Sequence, residues 1–119
     1  MSYDIRLIDP VTKEPLYADE KHMIRGGLYA IGGTTELWMN ITGNYIKIFR
    51  EYIDEESGIR AIYGLSGAES IPILENAISK LKDDVSDDYW EATEGNAKRS
   101  LYGLLALARM RPDGVWEGD

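Results

Sequence analysis

The sequence contains no cysteine, which excludes disulfide bonds, cysteine-ligated zinc and thiol nucleophiles. It has a single histidine, His22, and no recognisable nucleophile motif accompanies that residue. Positive charge is also scarce, because 21 acidic residues outweigh 13 lysines and arginines and give a formal net charge of -8. Such a surface repels phosphate backbones, and we therefore expect no direct binding to nucleic acid.

Long apolar runs are missing as well. The longest apolar stretch near the C-terminus, Leu104 to Ala108, is far too short to cross a bilayer. The first ten residues lack the basic region followed by an apolar segment that a signal peptide has. We therefore expect a cytoplasmic protein that does not enter a membrane.

What the sequence does contain is an ordinary globular balance of 44% hydrophobic and 29% charged residues over 119 positions. A chain of this size buries roughly two thirds of its unfolded surface around one core. We predict a single domain over 1–119, with strands and turns in 1–41, helices in 42–111 and a tail in 112–119. The expected fold class is α+β, with a small antiparallel sheet from the N-terminal third packed against about three helices.

The N-terminal third shows strand and turn signals. Residues alternate between apolar and polar from Tyr3 to Ile8, which is typical of a half-buried strand. Two prolines in 9–15 predict a turn, and Leu16 to Ala18 is the candidate return strand of a hairpin. The charged segment from Asp19 to Arg25 is predicted to be an exposed loop.

The next segment contains two glycine pairs, Gly26-Gly27 and Gly32-Gly33. Gly32-Gly33 separates Leu28–Ile31 from Thr34–Ile41, and such a link between two β-prone runs favours a hairpin. In the second strand the predicted inner face consists of Leu37, Met39 and Ile41. The predicted outer face consists of Glu36, Trp38, Asn40 and Thr42.

Three main helices are predicted from apolar periodicity and capping residues. They run from Tyr45 to Ile53, from about Ala68 to Lys82, and from Glu94 to about Met110. Their predicted caps are Thr42, the capping box of Ser66 and Glu69, and Thr93. An acidic linker, Asp83 to Ala92, joins the last two helices. In the tail, Trp116 either docks on the domain or marks a contact surface.

One group of residues combines aromatic, carboxylate and amide groups in a way that suits contact with a ligand or a peptide. It consists of Glu36, Trp38, Asn40 and Asn44, with Tyr89 and Trp90 of the acidic linker as possible neighbours. The alternative is that Trp38 lies under a helix while Asn40 and Thr42 satisfy backbone groups at the strand-to-helix junction. We predict no catalytic residue, no metal ligand and no cofactor.

Several stretches of the sequence resemble a set of small uncharacterised proteins found in prophages and mobile elements of gut Firmicutes. The resemblance is carried by G-G-x-Y-A-x-G-G-T-T-E-x-W-x-N-I-T-x-N-Y from Gly26, Y-G-x-S-G-A-E-S-I-P from Tyr63, D-D-V-S-D-D-Y-W-E-A-T-E-G-N-A-K from Asp83, and R-P-D-G-V-W from Arg111. The four stretches are spread over the chain from Gly26 to Trp116. The resemblance implies a mobile-element setting, and it carries no catalytic residue onto this sequence.

We therefore expect a non-enzymatic accessory protein that binds a protein or a small ligand. One alternative is a small enzyme or nucleotide-binding protein that uses carboxylates and the Gly-rich turns, in which Glu36, Glu69 or Glu91 lies within reach of Asn40 or Asn44. A second alternative is a self-associating structural protein.

Overall fold

A computed structural model describes residues 1–22 and 34–119. Within these residues, strands precede helices and one further strand closes the chain. The elements are β1 (Ser2–Ile8), β2 (Tyr17–His22), β3 (Thr34–Glu36), β4 (Trp38–Thr42), α1 (Ile46–Tyr52), α2 (Gly67–Lys80), α3 (Glu94–Met110) and β5 (Val115–Gly118). Short 3-10 helices, Gly43–Tyr45 and Gly58–Ile62, flank α1. The fold class is α+β, as predicted.

The main sheet of the described residues is antiparallel and has three strands in the order β4-β1-β5. Its inner face is apolar, because Tyr3, Ile5 and Leu7 of β1 are buried. Its outer face carries the alternate residues, including Asp4 and Arg6. The predicted alternation of β1 is therefore confirmed, and β1 is the central strand.

A ring of three backbone hydrogen bonds connects the main sheet to the β2–β3 pair. The Leu7 N–H donates to the Leu37 carbonyl (3.0 Å), Leu37 donates to Leu16 (2.9 Å), and Leu16 donates to Leu7 (3.1 Å). The side chains of all three residues are buried. We call this ring the leucine junction. It satisfies three amides that would be costly to leave unpaired in the interior.

The leucine junction corrects one prediction. A single strand was expected over Thr34–Ile41, but the chain forms β3 and β4 on either side of Leu37, which belong to different sheets. The reason is that Leu37 donates toward Leu16 and accepts from Leu7 in β1. The predicted hairpin turn at Gly32-Gly33 lies outside the described residues.

A second correction concerns the segment predicted as an exposed loop over Asp19–Arg25. Its residues as far as His22 belong to β2, which pairs antiparallel with β3 through Tyr17 opposite Glu36 and His22 opposite Thr34. Charged residues have low intrinsic strand propensity, so this strand depends on its pairing with β3. Residues 23–25 lie outside the described part of the chain.

The helix predictions are confirmed to within a few residues. Each helical start is capped as the sequence indicates: the hydroxyl of Thr42 accepts from Asn44 N–H, that of Ser66 from Glu69 N–H, and that of Thr93 from Asn96 N–H. None of the helices in the described ranges has the length and apolar character that crossing a bilayer requires.

The hydrophobic core lies between the inner face of the main sheet and the helices. It includes the predicted apolar positions of the sheet and of the last helix. Among its members are Leu37, Met39, Ile41, Phe49, Leu74, Ile78, Ala97, Leu101, Leu104, Leu105 and Ala108. The ring of Phe49 makes an edge contact with Tyr45 at a centroid distance of 6.0 Å. The core therefore fixes the position of β4 relative to α1 and α3.

The segment 112–119, predicted as a tail, is largely the edge strand β5 of the main sheet. Trp116 is 1% exposed, and its indole Nε1 donates to the Ser70 hydroxyl of α2 over 2.7 Å. Of the two alternatives left open for Trp116, docking on the domain is the one observed. The tail prediction was wrong because β5 gains its stability from pairing with β1, which lies more than a hundred residues earlier.

This docking generates a stability prediction. Trp116→Ala should lower the free energy of unfolding by about 3–5 kcal/mol, because it removes a large buried side chain and leaves a cavity. Trp116→Phe should cost less, about 1–2 kcal/mol, because it mainly removes the hydrogen bond to Ser70. Urea unfolding followed by circular dichroism measures both values. Trp90→Ala is the matched control, since Trp90 is 48% exposed. Equal losses for Trp116→Ala and Trp90→Ala would contradict the docked position.

Candidate functional site

The outer face of the main sheet carries a groove of about 480 Å³, which we call the sheet groove. Its position follows from strand register, because Arg6 of β1 lies between Trp38 of β4 and Glu117 of β5. Side chains from all three strands therefore meet on one surface. The groove is lined mainly by Asp4, Arg6, Glu36, Trp38, Glu117 and Asp119.

Among the described residues, the charges of the sheet groove are unequal, since one guanidinium lies among four carboxylates. Arg6 Nη2 lies 2.7 Å from Glu117 Oε1, and Arg6 Nη1 lies 3.8 Å from Glu36 Oε1. The hydrogen bonds that Arg6 donates to the Glu117 carboxylate raise the pKa of Arg6 above its usual value. Both partners of the close pair are partly exposed, so this pair contributes at most about 1 kcal/mol to stability. Its main consequence is that the positive charge of Arg6 is compensated by Glu117.

Asn40 lies beside the sheet groove and is only 3% exposed. Its Nδ2 donates to Asp4 Oδ1 over 2.9 Å and to the Ser2 hydroxyl over 3.1 Å. This arrangement assigns the amide orientation, because only the nitrogen can donate to a carboxylate. The Asn40 Oδ1 atom has no hydrogen-bond partner in the described part of the chain. Asn40 thus positions the Asp4 carboxylate from the side of β4.

The six residues predicted as one surface occupy two places. Glu36 and Trp38 line the sheet groove, and Asn40 supports it. Asn44, Tyr89 and Trp90 meet elsewhere, where the Asn44 side chain donates to the Trp90 carbonyl over 2.8 Å.

We call residues 83–92 the acidic loop, and its contacts with the strand-to-helix junction are structural. The Tyr89 hydroxyl accepts from the backbone N–H of Thr42 over 2.9 Å. The Tyr45 hydroxyl donates to the Tyr89 carbonyl, and the two rings make an edge contact. Trp90 packs edge-on against Tyr89 at a centroid distance of 5.1 Å. Tyr89 therefore anchors the acidic loop by satisfying an amide at the end of β4.

Asn96 at the start of α3 holds the acidic loop from the other side. Its Nδ2 donates to the carbonyls of Asp88 and Glu91, each over 3.0 Å, and its Oδ1 accepts from Ser86 N–H over 3.0 Å. The residue is 5% exposed. Sequence reasoning missed this role. The signal for it was an asparagine on the buried side of the helix, three residues after the Thr93 cap.

The carboxylates that an enzyme would need to bring together are separate. Glu36 lies at the sheet groove, Glu69 accepts from Ser66 N–H in the capping box, and Glu91 accepts from the Ser86 hydroxyl. Neither Asn40 nor Asn44 hydrogen-bonds to any of them within the described residues. Residues 1–22 and 34–119 also contain no group of three or more acidic or histidine side chains placed to hold a metal ion.

Most residues of the sheet groove were not predicted. Asp4 and Arg6 were identified only as the outer face of a strand, and Glu117 and Asp119 were assigned to a tail. Their place in the groove depends on the pairing of Val115–Gly118 with β1, and the short segment V-W-E-G has no alternating pattern that would mark it as a strand.

Comparison of the chain with protein-family models, with curated proteins and with solved structures gave no match in any of the three cases.

The buried tyrosines generate a pH prediction. Burial raises the pKa of Tyr45 and of Tyr89, and burial together with the nearby Asp119 carboxylate raises the pKa of Tyr63 to about 12. In the unfolded chain tyrosine titrates near pH 10. A folded pKa above the unfolded value gives stability that is complete below about pH 10 and is lost as the pH rises above it.

We therefore expect the urea midpoint to be constant up to about pH 9.5 and to fall steadily between about pH 10 and 12. Tyr45→Phe should make this fall shallower, because one buried hydroxyl no longer ionises. Tyr102, which is 52% exposed, provides the control, and Tyr102→Phe should keep the wild-type slope. A midpoint that does not change above pH 10 would refute the assignment.

Proposed function

We propose that the protein is a non-enzymatic binding protein whose sheet groove docks a positively charged segment of a partner protein. The observation that carries this proposal is the composition of the groove. Among the described residues, Trp38 lies beside four carboxylates, and the one guanidinium lining the groove, that of Arg6, is already paired with Glu117.

Electrostatics favours this class of partner. The chain has a formal net charge of -8, and the groove concentrates negative charge on a concave surface. Such a field accelerates the approach of cations and repels phosphate backbones. A basic protein segment therefore fits the groove better than a nucleic acid does.

Trp38 adds chemical selectivity to this charge. The face of an indole ring attracts a guanidinium or ammonium group by about 0.5–2 kcal/mol, depending on how far the pair is desolvated. Arginine can stack on the ring while its nitrogen atoms donate to carboxylates. We therefore favour a partner segment that contains arginine.

The geometry of Asn40 supports a preformed site. The Asn40 amide holds Asp4 through its side chain, and Asp4 N–H donates to Asp119 Oδ1 over 2.9 Å. Asp4 and Asp119 are thus positioned by contacts within the sheet. A site that is ordered before binding loses less entropy when it binds.

The biological setting rests on the resemblance to proteins of prophages and mobile elements. We propose that the protein acts in the cytoplasm as an accessory protein of such an element. The enzyme alternative gains no support from the described residues, since Glu36, Glu69 and Glu91 have separate partners.

Calorimetric titration with tetra-arginine tests the proposed site. Tetra-arginine should bind, its affinity should fall as salt is added, and tetra-glutamate should give no heat. Trp38→Ala should weaken binding by roughly 2- to 30-fold, which corresponds to the loss of one cation–π contact. Glu117→Gln should also weaken it, because it removes a carboxylate and leaves Arg6 to repel the ligand.

Two variants serve as matched controls. Glu75→Gln removes one carboxylate from an exposed pair with Arg109 on the helical side of the molecule. It therefore changes the net charge by the same amount as Glu117→Gln does. Trp90→Ala removes an exposed tryptophan outside the groove. Affinities that fall as much in these controls as in Trp38→Ala and Glu117→Gln would show non-specific attraction and defeat the proposal.

A further inference from the structure

A second cavity, of about 340 Å³, lies between α3, the inner side of β4 and the acidic loop. We call it the loop cavity. It is independent of the sheet groove, since the two share no lining residue. Its volume is at the lower end of the range for small-molecule sites.

The walls of the loop cavity are held in place without a ligand. Asn96 makes three hydrogen bonds to the acidic loop, and Tyr89 ties the same loop to Thr42. The Ser100 hydroxyl donates to the Ala97 carbonyl over 2.6 Å. These polar groups are therefore largely occupied by internal contacts.

The floor of the loop cavity is apolar. Met39 of β4 faces Gly103 of α3, and a Cβ atom built on Gly103 would lie 2.6 Å from the Met39 sulfur. Glycine at 103 thus allows the thioether to sit close to the helix. A methionine surface is adaptable and suits an aliphatic or thioether group.

Two opposite charges line the loop cavity and are not paired. Arg99 of α3 and Asp87 of the acidic loop are both exposed. They form no ion pair with each other, and neither forms an ion pair or a side-chain hydrogen bond with another described residue. Other cations do form pairs, such as Lys98 with Asp83 at 2.7 Å. The cavity therefore offers one positive and one negative group to whatever enters it.

We propose that the loop cavity binds a small zwitterion, an α-amino acid with an apolar side chain. The carboxylate of the ligand pairs with the Arg99 guanidinium, and its ammonium group pairs with the Asp87 carboxylate. The side chain lies on Met39 and Gly103. A simple anion is repelled by Asp87 and a simple cation by Arg99, so only a ligand carrying both charges satisfies the two residues.

Calorimetry and ¹⁵N–¹H spectra with free L-leucine and L-methionine test this proposal. Binding in the millimolar range should shift the amide signals of Asp87, Asn96 and Gly103. N-acetyl-leucine lacks the ammonium group and leucine amide lacks the carboxylate, and each should bind at least about tenfold more weakly. Either analogue binding as tightly as leucine would overturn the zwitterion assignment.

Exposed positions allow variants that keep the fold. Arg99→Gln and Asp87→Asn should each weaken leucine binding by about tenfold or more, whereas Arg109→Gln on the same helix should leave it unchanged. Arg109 is 59% exposed in its side chain and lies outside the cavity. The proposal fails if no shift appears up to about 10 mM leucine or methionine, or if Arg99→Gln binds as the wild type does. Neither result bears on tetra-arginine binding, which uses different residues.

Discussion

The leucine junction is the constraint on which the rest of the structure depends. Three backbone hydrogen bonds link Leu7, Leu16 and Leu37 in a closed ring whose side chains are buried. The ring ends β3 and begins β4 at a fixed residue, and it thereby sets the register of β4 on β1. Trp38 then lies opposite Arg6, and Asn40 lies opposite Asp4. A shift of one residue would turn Trp38 toward the core and Leu37 toward solvent, so the sheet groove exists only in this register.

Local signals explain why the helices were predictable from the sequence. The caps at Thr42, Ser66 and Thr93 lie within a few residues of the amides they satisfy, so each is readable in a short window. Two of the three wrong assignments, those at β2 and at β5, have a common physical cause. Both strands contain charged or small residues and are stabilised by a partner outside the strand's own sequence window, which is β3 for β2 and β1 for β5.

The candidate site was only partly predictable for the same reason. Alternation along the single strand predicted over Thr34–Ile41 placed Glu36 and Trp38 on an outer face, and both residues line the sheet groove. Asn44, Tyr89 and Trp90 were grouped with them because polar and aromatic residues favour contact surfaces. Their hydrogen bonds show another use, which is to fasten the acidic loop to the strand-to-helix junction. The loop cavity depends on Asn96, because the hydrogen bonds of its side chain hold the acidic loop in place beside α3.

The central claim is that the sheet groove, and no other acidic part of this surface, receives a cationic partner. The most direct measurement is a map of ¹⁵N–¹H shift changes on the addition of tetra-arginine. The account predicts that the largest changes fall on Arg6, Trp38 and Glu117, around the groove. It would be contradicted by changes that centre on residues 83–92, where the acidic loop carries a comparable density of carboxylates on a surface without Trp38.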